Sequence, residues 1–206
     1  MMALIITIGR EYGSGGREIG ELVAQKMGVP FYDKEVLTRA AQESGLCPEV
    51  FEKNDEKASI SGMLNQGGMP DLRTGTVAFG LQMPLNQRIF LAQFDAINKI
   101  ASEGSCVIVG RCADYVLKDR PDVVRVFFYA SLDARIERIR RIEGITRDQA
   151  RELIRKMDKQ RRNYYNFFAD GNWGLHSNYD LMVRTDSHRP GDIASAVVAF
   201  AREQQT

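Results

Sequence analysis

The chain is expected to fold as an α/β protein, a parallel sheet of about five strands with helices on both faces. Three observations predict this. Short apolar runs rich in β-branched residues occur at 4–8, 105–109, 123–129 and 179–184, with a very short one at 31–33. They lack the strict alternation of a half-exposed strand, so both faces are read as buried. Each run leads into a helical pattern or crossover, and that alternation implies parallel strands.

Taken in order, residues 4–8 predict the first strand, followed by the glycine-dense turn Gly13-Ser14-Gly15-Gly16. Ile19, Leu22, Val23 and Met27 then fall on one face of a helix that ends at Gly28-Val29-Pro30. After the short strand, residues 34–44 resume a helical pattern that stops at Gly45. From 47 to 81 periodicity fades. Residues 48–57 suit a short acidic helix, and 59–80 are rich in Gly, Ser, Asn and Met. This stretch reads as an insertion that stays mobile until something binds it, or as an oligomer contact that orders it.

Pro84 opens a long helix to Glu103, with Ile89, Phe90, Phe94, Ile97 and Ile100 at helical spacing. The strand at 105–109 runs directly into Gly110-Arg111-Cys112-Ala113-Asp114, the strand end where open α/β sheets bind ligands. Ser131 caps a helix over 132–143, which Gly144 breaks. Thr146 with Gln149 forms a capping box for a helix to about 167, followed by a loop over 169–178. The last strand covers 179–184, and residues 190–204 form a closing helix. One domain over 1–206 accommodates all of this.

The loop after the first strand carries the clearest chemistry. Glycines let the backbone approach an anion with its N–H groups turned inward, and the following helix adds the positive end of its dipole. The pattern G-x-x-x-x-G-K-[ST] is nearly matched, with Gly16-Arg17-Glu18 where Gly-Lys-Ser/Thr is expected and Glu11 at the leading glycine. Arginine keeps the charge, though the two cations are not interchangeable at a tight site. Glu18 could ligate magnesium, but without metal it would repel a triphosphate. On residues alone, a phosphate loop and a turn that is glycine-rich for packing both stand. Gly13 and Gly15 with Asp33 are also similar to a dinucleotide fingerprint, but Glu18 falls where its third glycine must pack.

Composition narrows the class. With 44% hydrophobic and 27% charged residues and a net charge of +1, neither a nucleic-acid coat nor a membrane surface is the expected partner. Three cysteines, Cys47, Cys106 and Cys112, have no disulfide-framework spacing and suit a reducing compartment. The opening apolar run is too short for a signal peptide, so the cytoplasm is expected. With only His176 and His188, a structural zinc site is not expected.

A second cluster lies on the helix from Thr146. Arg155, Asp158 and Arg162 share a face by spacing, with Arg161 about 100° from Arg162. Tyr164, Tyr165, Phe167 and Phe168 crowd its end before Trp173. An arginine-bearing helix and loop over 146–178 suits a lid for phosphoryl transfer, where donors hold the charge spread over the migrating group. For Arg135, Arg138, Arg140 and Arg141 a solvated helix face is expected. Arg111 and Asp114 suit either a salt bridge or a grip on substrate.

Residues 6–20, 30–34, 107–114, 158–165 and 178–181 together resemble the cytidylate kinase-like family, a branch of the P-loop nucleoside monophosphate kinases. The resemblance implies a three-layer α/β/α P-loop fold with a five-stranded parallel sheet, an inserted acceptor-binding region at 47–81 and a lid. It implies transfer of the ATP γ-phosphate to a nucleoside monophosphate, CMP or dCMP foremost, with Mg2+. Carried over by position, Gly13, Ser14, Gly15, Gly16, Arg17 and Glu18 would hold ATP, with Glu18 toward the metal. Asp33, Arg111 and Asp114 would face the acceptor, and Arg155, Asp158, Arg161 and Arg162 match the lid pattern. The Arg17-Glu18 pair also permits a nucleotide sensor without transferase activity, and a kinase of a non-nucleotide acceptor stays open.

Overall fold

The computed structural model describes residues 3–45, 85–169 and 171–204. The expected insertion at 47–81 and Pro84 lie outside them. Five strands form one sheet in the order β2-β3-β1-β4-β5, every pairing parallel. They are β1 (Ile5–Arg10), β2 (Phe31–Tyr32), β3 (Cys106–Val109), β4 (Val123–Tyr129) and β5 (Leu181–Arg184). The helices are α1 (Gly16–Met27), α2 (Glu35–Ser44), α3 (Leu85–Glu103), α4 (Ala113–Val116), α5 (Leu132–Glu143), α6 (Arg147–Phe168) and α7 (Pro190–Glu203).

Alternate residues of the central strands feed two cores, which is why their sequence is apolar throughout. Leu4, Ile6, Ile8, Val107, Val109, Val126 and Phe128 meet α1 and α7 through Ile19, Val23, Ala194 and Val197. Ile5, Cys106 and Ile108 meet the opposite layer through Val36, Ile97, Ile100 and Leu117. Burial pushes the Cys106 thiol up to about 12, so it packs as an apolar group. α5 and α6 pack on each other through a separate apolar cluster of Ile136, Ile139, Ala150 and Ile154.

The expected caps are present. Ser131 Oγ accepts from the Ala134 amide, and Thr146 and Gln149 exchange both bonds of a capping box. The loop expected over 169–178 also holds a short 3-10 turn, His176–Asn178, so β5 begins two residues later than the apolar run suggests. Asp180 explains the delay, since its carboxylate holds the Arg125 side chain and amide at the sheet edge. β1 lies between β3 and β4 while the chain leaves it first for β2, so the direction of winding reverses beside β1. That reversal opens a crevice at the C-terminal ends of β1 and β3.

Candidate active site

The crevice is floored by the glycine loop. Gly13 and Gly15 have φ of +81° and +82°, a region that only glycine adopts freely, and Gly15 is the N-cap of α1. Ser14 Oγ donates to the Glu11 carbonyl (2.9 Å) and accepts from the Gly16 amide (3.3 Å). Thr185 Oγ1, just after β5, donates to the Ser14 carbonyl (2.6 Å) and so braces the bend. The amides of Gly15, Arg17 and Glu18 have no protein partner among the described residues, as expected of a helix start without a side-chain cap. Such free donors suit phosphate oxygens.

Over this floor lies an open cleft of about 490 Å³. Six basic side chains and four acidic ones line it among the described residues, including Arg17, Arg111, Arg138 and Arg161 against Glu18 and Asp33. A second hollow, also about 490 Å³, lies behind the loop between Gly13, Ala134, Arg138, Arg141, Thr185 and Asp186.

Asp33, just after β2, is buried and accepts from Arg17 Nε at 2.9 Å, with the Arg111 guanidinium 3.8 Å away. Arg17 also meets Glu21 at 2.9 Å, one helical turn on. Glu18 pairs with Arg138 of α5. Arg111 is buried with φ of +58°, and Cys112 follows at +56°. Two successive non-glycine residues in the left-handed region cost about 1 kcal/mol or more each, and such strain gathers at functional sites. Asp114 accepts from the Tyr165 hydroxyl at 2.8 Å, and burial pushes its carboxyl up to about 6.

α6 divides the four lid candidates. Asp158 is buried and faces the loop, accepting from the Tyr12 amide (2.8 Å) and from Arg135 (2.6 Å). Arg161 donates to the Arg10 carbonyl (3.0 Å) and lies over the Tyr12 ring. Arg162 instead covers Trp173, 5.6 Å from the ring centre. Arg155 is 72% exposed at its side chain and meets Glu152 (3.1 Å), away from the cleft. The shared face expected from spacing is thus split, because Ile154 and Asp158 define the buried stripe and Arg155 falls beside it.

The solvated face expected for the α5 arginines holds for Arg140, which pairs with Glu137 at 2.9 Å. It fails for Arg135 and Arg138. Arg135 is 8% exposed, donates to the Tyr12 carbonyl (3.3 Å) and lies 3.5 Å from Glu11. Burial raises the Glu11 carboxyl, while the Ala130 amide and Arg135 oppose the rise. The missed signal is local: Arg135 stands four residues before Ile139, on the apolar stripe rather than opposite it.

Winding order, glycine loop and basic cleft define an α/β protein of the P-loop kinase fold. The chain belongs to the cytidylate kinase-like family, whose model matches residues 5–187. A cytidylate kinase of Pyrococcus horikoshii is 25% identical over 95% of this chain and 87% of its own length. One from Methanobrevibacter smithii is 25% identical, over 95% and 96%. An uncharacterized protein from Eubacterium ventriosum superposes with a TM-score of 0.70 at 26% identity, covering 97% of this chain and 98% of its own. A gluconokinase from Sinorhizobium meliloti shares the fold alone, with a TM-score of 0.55 at 16% identity, covering 98% and 93%. Family membership supports a phosphotransferase. No helix among the described residues is long and apolar enough to cross a membrane.

Proposed function

We propose that the protein is an ATP-dependent kinase of a nucleoside monophosphate, with CMP or dCMP as the first acceptors to consider. The observation that carries this reading is the glycine loop with unpaired amides, set beneath an arginine-lined cleft. The ATP phosphates would rest on Gly13 to Glu18, and the nucleoside would extend into the hollow behind the loop. Asp33, Arg111 and Asp114 would orient the acceptor at the strand ends. Arg161 faces the point where the phosphoryl group would travel, and its guanidinium would hold the spreading charge. Asp158 would act through position, by holding Tyr12 and Arg135. Arg17 would have to leave Asp33 to reach a phosphate, and Arg155 and Arg162 would join only if α6 moved.

A magnesium ion fits the donor set, since Glu18 sits half-exposed at the cleft and Mg2+ is satisfied by one carboxylate plus phosphate oxygens and water. Bound there, it would neutralise charge on the β- and γ-phosphates. The cytoplasm, with its nucleotide pool and reduced thiols, is the compartment this reading requires.

The test is ADP formation in a coupled assay across nucleoside monophosphates, with shikimate and gluconate as non-nucleotide acceptors. Turnover that depends on CMP or dCMP is expected. Equal rates with every monophosphate, or none, would sink the assignment, and turnover with a non-nucleotide would move the acceptor class. The two ion pairs across the cleft, Arg17 with Asp33 and Glu18 with Arg138, favour a second reading as a sensor that binds without transfer. Glu18→Ser separates them by turnover: a kinase using that carboxylate for metal loses it, whereas a sensor has none to lose and changes only in affinity.

A further inference from the structure

α1 starts at Gly16, where an added Cβ would stand 2.9 Å from Arg10 Cβ and 3.0 Å from Phe128 Cβ. No side chain fits at that step. Arg17, the next residue, directs its guanidinium to Asp33 and Glu21. The cation over the bend comes from another element. A Cβ on Gly15 would lie 3.1 Å from Arg138 Cζ and 3.2 and 3.4 Å from its terminal nitrogens, so the guanidinium of α5 rests directly on the loop. Its charge is met by Glu18, in the first turn of α1.

We propose that Arg138 is the phosphate-binding cation of this loop and that Glu18 holds its place until nucleotide arrives, one anion being exchanged for another on the same guanidinium. The assignment rests on the kinase reading and deepens it. The pair is accessible enough to open, with side chains 25% and 50% exposed. A guanidinium binds phosphate through paired donors, and a triphosphate carries more charge than a carboxylate. Glu18 loses little on release, because a carboxylate in the first turn of a helix is favoured by the dipole. Once displaced it faces the phosphates, so binding without metal carries a repulsive cost that binding with metal does not. Arg138 thus sets affinity, and Glu18 makes that affinity depend on magnesium.

Titration calorimetry of ATP, in EDTA and in magnesium, tests this on the wild type, Glu18→Gln, Arg138→Gln and the double variant. Arg138→Gln is expected to weaken ATP binding roughly ten- to a hundredfold. Glu18→Gln is expected to tighten binding in EDTA about tenfold, and that gain should shrink when Arg138 is also replaced, leaving only the relief of direct repulsion. Unchanged binding by Arg138→Gln, or a gain from Glu18→Gln that is undiminished in the double variant, overturns the assignment while leaving the kinase reading intact. A wild type that binds no ATP overturns both. Should Arg138→Gln melt too low to titrate, Glu18→Gln decides alone: no tightening in EDTA rejects the exchange.

Discussion

Asp114 holds its proton well above the ordinary carboxylate range. Desolvation dominates, and the Tyr165 hydroxyl opposes it only in part. The folded state therefore holds a proton that the unfolded chain releases near pH 4. The stability this contributes is complete below the unfolded value and is lost as pH rises from about 4 to about 6. Asp114→Asn keeps an acceptor for Tyr165 and removes the titration. Its stability relative to the wild type should rise through that window, by up to about 3 kcal/mol. Urea midpoints at pH 4, 5, 6 and 7 measure this, and a constant difference would contradict it. Neither the burial of Asp114 nor its tyrosine partner could be read from the chain, since Tyr165 is 51 residues away.

Among elements, α6 has the most to explain. Its start was legible, because a capping box is local chemistry. Its docking was not. Asp158 joins α6 to the glycine loop and to Arg135 of α5, an ion pair with side chains 9% and 12% exposed. Asp158→Ala would leave Arg135 buried with only the Tyr12 carbonyl and the more distant Glu11 to meet it, and the Tyr12 amide without its acceptor. A loss of about 3–5 kcal/mol is expected, read from chemical denaturation. Arg155→Ala removes only an exposed pair one turn long, and its melting temperature should stay within about a degree of the wild type. A comparable loss from both would mean that α6 is held along its whole length rather than at Asp158.

For the molecule as a whole, the cleft brings together the ends of β1 and β3, the start of α1 and one side each of α5 and α6. A ligand spanning these elements stabilises the fold by binding only the native state. ATP with magnesium at about 100 times its dissociation constant should add about 2.7 kcal/mol. For a chain of this size that is a rise of roughly 5–10 °C in melting temperature. Thermal shift with ATP, and with CMP added to it, reads this directly. No shift with any nucleotide would count against both readings of the site.

The chain alone determined the α/β class, the strand and helix order, the caps and the glycine loop. Each depends on neighbours within a few residues, through side-chain period, glycine's conformational freedom and capping oxygens. The placement of Asp33, Arg111 and Arg161 beside the cleft was also legible, because they stand at strand ends and on the helix before the loop. Only the tertiary structure decided which guanidinium groups reach the cleft. It laid Arg138 on the loop, gave Arg135 its partner Asp158, turned Arg155 outward and gave Arg17 to Asp33 rather than to the loop. The reason is physical: an arginine's role is set by the carboxylate or anion that meets its guanidinium. Those partners lie 16, 23 and 120 residues away for Arg17, Arg135 and Arg138, distances across which sequence spacing carries no geometry.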